Sequence, residues 1–188
     1  MTPFNYLIRR RVFTLAGAKF DIYDATGRLI GFSKQKAFKL KEDIRVFQTA
    51  ESPTPFLQIR ARNIIDFSAA YDVLNEAGER IGTWKRKGWQ SLMRDTWIVE
   101  DCDGNEVAML QEDSLLMALL RRFLTTLIPQ KFNLISPNGR VYVRYERCFN
   151  PFIFKLRTTI YSGSPIHPML VLGGAILLSA IEGHQSSY

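Results

Sequence analysis

The residues with chemistry to offer are mostly basic, and they recur in pairs. Lys34 and Lys36 stand two apart, as do Lys85 and Lys87 with Arg86 between them, and Trp84 and Trp89 flank the second pair. Alternate residues of a strand project from one face, so in an extended segment each pair forms a short positive ridge. Lys and Arg attract anionic lipid and Trp settles at a membrane interface, so a lipid surface is the partner these residues suit. The competing assignment is a solvated outer wall, with Trp84 or Trp89 in the core. Arg9, Arg10 and Arg11 make a further basic run, although three consecutive strand residues cannot share one face. Nucleic acid is the alternative anion. It needs aromatic platforms beside basic residues, and YVRYER at 142–147 has that composition.

Nothing in the chain assembles a catalytic set. His167 and His184 flank an apolar C-terminal stretch, and no nucleophile elbow, zinc-protease motif, phosphate-binding loop or dinucleotide fingerprint occurs. Asp24, Asp101, Asp103, Glu112 and Asp113 fall at or near turns, where carboxylates ordinarily serve the turn. Cys102 and Cys148 lie far apart with no histidine nearby, which indicates neither a zinc site, nor a disulfide framework, nor an activated thiol. The expectation is a protein that is not an enzyme and uses no metal or cofactor, in a reducing compartment.

The elements that position these residues must come from 188 residues, enough for one domain, 1–188, with a real core. With 46% hydrophobic and 23% charged residues, the composition excludes disorder and a polytopic membrane protein. Lys and Arg outnumber Asp and Glu by 25 to 18, a net charge of +7 that favours anionic partners. The opening MTPFNYLIRRRVF lacks the apolar stretch and cleavage site of a secretory signal. A cytoplasmic monomer, peripheral at a membrane, is the corresponding expectation.

An internal repeat supplies the architecture. Residues 20–38, FDIYDATGRLIGFSKQKAF, align without gaps on 71–89, YDVLNEAGERIGTWKRKGW, and the same aromatic-to-glycine spacing recurs in WIVEDCDG at 97–104 and FNLISPNG at 132–139. The first two copies alternate in period two, and the four copies reach DATG, NEAG, DCDG and SPNG. These start with a side chain that bonds its own backbone and end with glycine, the signature of a β-hairpin. Further strands are expected over 6–14, 44–49, 56–62 and 152–157, about a dozen in all, with SPTP at 52–55 as a turn.

Two segments break the pattern. SLLMALLRRFLTTLI at 114–128 carries an apolar stripe at helical spacing, with Asp113 or Ser114 as cap and Pro129 as stop, and predicts an amphipathic helix. PMLVLGGAILLSAI at 168–181 is apolar on every side. Its continuous part, 169–181, spans roughly 20 Å at about 1.5 Å per residue, short of a hydrocarbon layer of about 30 Å. A helix threaded through a closed barrel accounts for it better than a membrane anchor, because such a helix needs no polar face.

Hairpins of the form FDIYDATGRLIG and YDVLNEAGERIGTWKRKGW, a mid-chain helix and an all-round apolar terminal helix resemble the tubby C-terminal-like superfamily, and within it the LURP-one-related and phospholipid scramblase-like proteins. The resemblance runs from about residue 4 to 181. It implies a twelve-stranded barrel around the terminal helix and, for tubby-like members, phosphoinositide binding at a basic surface. Scramblases also carry an acidic calcium-binding segment before that helix. The matching stretch here, 147–157, has no Asp or Glu, so calcium activation is not implied. The expected ligands are therefore anionic membrane lipids, bound through Lys34, Lys36, Lys85, Arg86, Lys87 and Trp84, with a protein-interaction module and a nucleic-acid binder as alternatives.

Overall fold

The computed structural model describes residues 4–11, 19–34, 43–63, 69–87, 96–112, 131–148, 150 and 153–185. The first six strands are β1 (Phe4–Arg10), β2 (Phe20–Tyr23), β3 (Leu29–Lys34), β4 (Asp43–Phe47), β5 (Leu57–Asn63) and β6 (Ala70–Asn75). The other six are β7 (Arg80–Lys87), β8 (Thr96–Glu100), β9 (Glu106–Glu112), β10 (Lys131–Ile135), β11 (Val141–Cys148) and β12 (Lys155–Ile160), followed by the helix α1 (Pro168–Gln185). Each strand pairs antiparallel with its sequence neighbours, and β12 returns to β1, closing the barrel.

The repeated motif is one hairpin built four times. In each turn the glycine N–H donates to the carbonyl three residues back: Gly27 to Asp24 at 3.0 Å, Gly78 to Asn75 at 3.0 Å, Gly104 to Asp101 at 3.2 Å and Gly139 to Ser136 at 2.9 Å. All four glycines have φ between 79° and 89°, a left-handed conformation that a Cβ penalises. The ladder slips by one residue at the same point each time, after Ile22, Val73, Val99 and Leu134. This is a type I turn followed by a glycine bulge.

The strands expected over 6–14, 44–49 and 56–62 correspond to β1, β4 and β5. The one expected over 152–157 runs three residues later, as β12. Leu156, Thr158 and Ile160 continue the inward alternation. The amphipathic helix expected over 114–128 lies outside the described residues.

The helix α1 fills the barrel. Leu170, Val171, Leu172, Ile176, Leu177 and Leu178 are all buried, as an axis surrounded by inward strand faces requires. Two strand side chains hold it by its backbone: Trp84 Nε1 donates to the Leu170 carbonyl at 3.0 Å and the Tyr145 hydroxyl to the Val171 carbonyl at 2.9 Å. Glycines let helix and wall touch. A Cβ on Gly174 would lie 2.0 Å from Trp84 Cζ2, and one on Gly82 would lie 2.5 Å from Leu170 Cδ2. Because Leu170 meets Gly82 while Gly174 meets Trp84, α1 runs in the direction of β7. Its N-terminus therefore enters at the end that holds the four hairpin turns. Among the described residues no helix is long and apolar enough to cross a membrane.

Candidate functional site

Barrel topology separates the charges. One end holds the connections 24–28, 48–56, 76–79, 101–105, 136–140 and 161–167. At the other lie Arg11, Lys19, Ala69, Asn150, Ile153 and Phe154, the described residues between the remaining strand ends. Within the connections of the hairpin-turn end, Asp24, Glu51, Glu76, Glu79, Asp101 and Asp103 stand against Arg28 and Arg140, six acids to two bases, or −4. The chain totals +7, so the rest of the sequence carries +11.

Two of the acids at the turn end, Asp24 and Asp101, are committed to backbone. Asp24 Oδ1 accepts from the N–H groups of Thr26 and Arg28 at 2.9 and 3.0 Å, and Asp101 Oδ1 from those of Asp103 and Asn105 at 3.0 and 2.8 Å. Side-chain hydrogen bonds lead the causes that hold both carboxyls below their ordinary value, from Thr26 at Asp24 and from Asn105 at Asp101. These carboxylates therefore serve their turns. His167 does similar work at the helix entrance, where its Nδ1 accepts from the Met169 N–H at 3.2 Å. A groove of about 500 Å³ opens where β9 and β10 diverge, but its described lining, which includes Glu106, Gln111, Ser136 and Pro137, offers no cation for an anion.

The structure rearranges the expected lipid site. Trp84 is 1% exposed, and its ring packs on Gly174 and against Tyr145, so it is core and cannot reach a membrane. Lys85 faces outward but is ion-paired with Glu100 of the neighbouring strand. Arg86 alternates to the side of Trp84, so a ridge of 85, 86 and 87 on one face does not form. Lys34 closes β3 and Lys87 closes β7, while Lys36 and Trp89 lie outside the described residues. Three strands separate β3 from β7, a third of the ring, so Lys34 and Lys87 share an end of the barrel without forming a patch.

Across the wall, basic residues are frequently tied to acids: Arg45 to Asp43 at 2.8 Å, Arg62 to Asp72 at 2.7 Å and Lys131 to Glu146 at 2.9 Å. The Asp72 hydrogen bond raises the Arg62 pKa, as Asp21 does for Arg11. The arginine run splits as strand geometry requires. Arg9 points outward, Arg10 turns toward the barrel mouth, where burial lowers its pKa, and Arg11 grips Asp21. Arg86 and Arg147 share the inward parity of Arg10 at this end, whereas the inward positions toward the turn end are apolar or glycine, among them Ile22, Gly31, Val73, Gly82 and Val99.

Sequence reading missed Lys155 and Arg157 of β12, which the ring closure brings beside Arg9 of β1. Their spacing shows that they share a face. Only the closing pair of strands shows which face they join.

No family model and no curated protein matches the chain. Its fold is nevertheless shared: a protein from Arabidopsis thaliana of known X-ray structure superposes over 96% of this chain and 93% of its own, with a TM-score of 0.56 and 14% identity. The chain is thus a twelve-stranded antiparallel barrel closed around a C-terminal helix, in an architecture also found in that plant protein.

Proposed function

We propose that this barrel belongs to the tubby C-terminal-like superfamily, with the LURP-one-related and scramblase-like proteins. We further propose that it is a non-enzymatic, peripheral module that binds anionic phospholipid or phosphoinositide head groups. The order of hairpins and terminal helix supports the family. The charge separation carries the function: −4 at the turn end, +11 over the rest. A molecule polarised in this way is oriented by a negative surface before it touches it. The binding face is the basic end and adjoining wall rather than a ridge on β7.

Sedimentation with vesicles containing phosphatidylserine or phosphoinositide tests this. The protein should pellet with them at low salt and be released as salt rises, because exposed charges are screened over about 10 Å at about 0.1 M. Failure to pellet at low salt sinks the reading. If the protein then binds an oligonucleotide, a nucleic-acid function replaces it, and if it binds neither, the barrel is an interaction module.

A further inference from the structure

Neighbouring strands part at the turn end, and three of the seams between them are spanned by a side chain. Arg80 Nη2 reaches from β7 to the Cys102 carbonyl at 2.6 Å, Arg140 Nη2 reaches to the Ser162 carbonyl at 2.9 Å, and the Phe56 ring lies on Gly31. The seam between β9 and β10 stays open. Its register stops at Met109 and Ile135, because the Ser136 N–H already donates to the Arg140 carbonyl of its own turn. Among the described residues, Glu106, Val107 and Ala108 of β9 therefore have no ladder partner on that flank. The groove of about 500 Å³ opens here, lined by exposed Glu106 and half-buried Met109 and Ile135. The repeat explains the gap. Glu106 stands two residues after Gly104, as Arg80 stands two after Gly78, and a carboxylate has no N–H with which to bridge to the next turn. Its cross-strand neighbour, Glu100, is another acid and holds Lys85, and among the described residues the Glu106 side chain has no hydrogen-bond or ion-pair partner.

We propose that this seam takes an extended peptide segment of a partner protein, which adds a short strand to the free flank of β9 and sets a Lys or Arg on Glu106. A closed barrel abolishes sheet edges, and a stretch of unpaired strand restores one, with N–H and C=O groups ready to template another chain. Main-chain bonds to such an edge give affinity, and alternate side chains give specificity. The bulge after Val99 leaves Glu106, opposite Glu100, and Met109, opposite Ile98, on the same outward face. The added strand therefore presents a basic residue to Glu106 and an apolar one to Met109 and Ile135, two positions apart on one side. The partner supplies the cation that the third hairpin lacks where the second has Arg80. This surface lies at the end away from the basic face and does not depend on lipid binding.

The probe is a phage-displayed library of random heptapeptides selected on the wild-type protein, with the enriched peptides then synthesised and measured by fluorescence polarisation. They should carry Lys or Arg two positions from an apolar residue. Glu106→Arg supplies the missing guanidinium, so it should leave the melting temperature equal or higher and weaken those peptides about tenfold or more. Glu51→Arg, the same charge change at an exposed acid of another connection, should weaken them about twofold at most. Met109→Ala should weaken them about fivefold through lost apolar contact. Successive amides of a strand point to opposite sides, so N-methylation of alternate peptide amides should weaken binding about fivefold to tenfold in one set and leave the other unchanged. A library that yields no binders, peptides without a basic residue, or equal losses for Glu106→Arg and Glu51→Arg would overturn the site. Binding indifferent to N-methylation in both sets would overturn the added strand. A fall of several degrees in the melting temperature of Glu106→Arg would assign the acid to the fold and overturn the seam as a site. A dimer in sedimentation velocity that Glu106→Arg abolishes would make a second copy of the chain the occupant and overturn the partner peptide.

Discussion

At one end of the barrel the charges serve the backbone, and at the other they do not. Asp24, Asn75, Asp101 and Ser136 each accept an N–H four residues on, so the turn end uses its polar side chains to close tight hairpins. Around the opposite end, the described basic side chains include several that no local turn requires. The difference teaches where to look for a ligand: turn chemistry consumes Asp24 and Asp101 at one end, while Arg9, Lys155 and Arg157 near the other serve no turn.

The helix couples the two ends, and removing it should have the largest effect. Burying each Leu, Ile or Val contributes roughly 1.5–3 kcal/mol, and six such residues of α1 together rival a total stability of about 5–15 kcal/mol. Truncation after Ser164 should therefore give unfolded or insoluble protein at both ends alike. A folded monomer by size exclusion and circular dichroism would show that the ends close without their axis.

Glycine substitutions separate space from conformation. Gly174→Ala places a methyl in the Trp84 ring and should cost about 1–3 kcal/mol by overpacking. At the turn end Gly78→Ala meets nothing within 4 Å, yet it should cost about 1–2 kcal/mol because φ is 80°. Chemical denaturation measures both. Gly78→Asn should recover part of the second loss, whereas Gly174→Asn should recover none of the first.

The smallest effect concerns hydroxyls and pH. Tyr145→Phe removes the bond to the Val171 carbonyl and should cost about 1 kcal/mol at neutral pH. Burial pushes the Tyr6 hydroxyl from 10.0 up to about 12 and that of Tyr145 well above 10.0. Their contribution is complete below pH 10.0, and that of Tyr6 is lost as pH rises through about 12. Asp24 and Asp101 have the opposite sign: folded values below 3.8 contribute stability above that pH that is lost as pH falls through the folded values. Denaturation across pH should therefore loosen the turn end in acid and the core in alkali.

Much of this fold was legible because it is written locally. Alternation, a capping side chain and a glycine at fixed spacing specify each hairpin within a few residues, and the all-round apolar helix needed only its length to be told from a membrane span. The candidate site was less legible. Trp84 has the same interfacial character in sequence whether it faces lipid or Gly174, and the Lys85 ridge loses its charge to Glu100, fifteen residues away on the next strand.

By itself, the sequence determined the hairpins, their bulges, the apolar axis and the net positive charge, since each depends on contacts or counts within short stretches of chain. Only the tertiary structure decided which charges meet. Ring closure pairs β1 with β12 and so sets Arg9 beside Lys155 across almost the whole length of the chain, and the direction of the strands gathers acids at one end and bases toward the other. Cross-strand distance depends on which strand lies next in space, and no local pattern of residues records that.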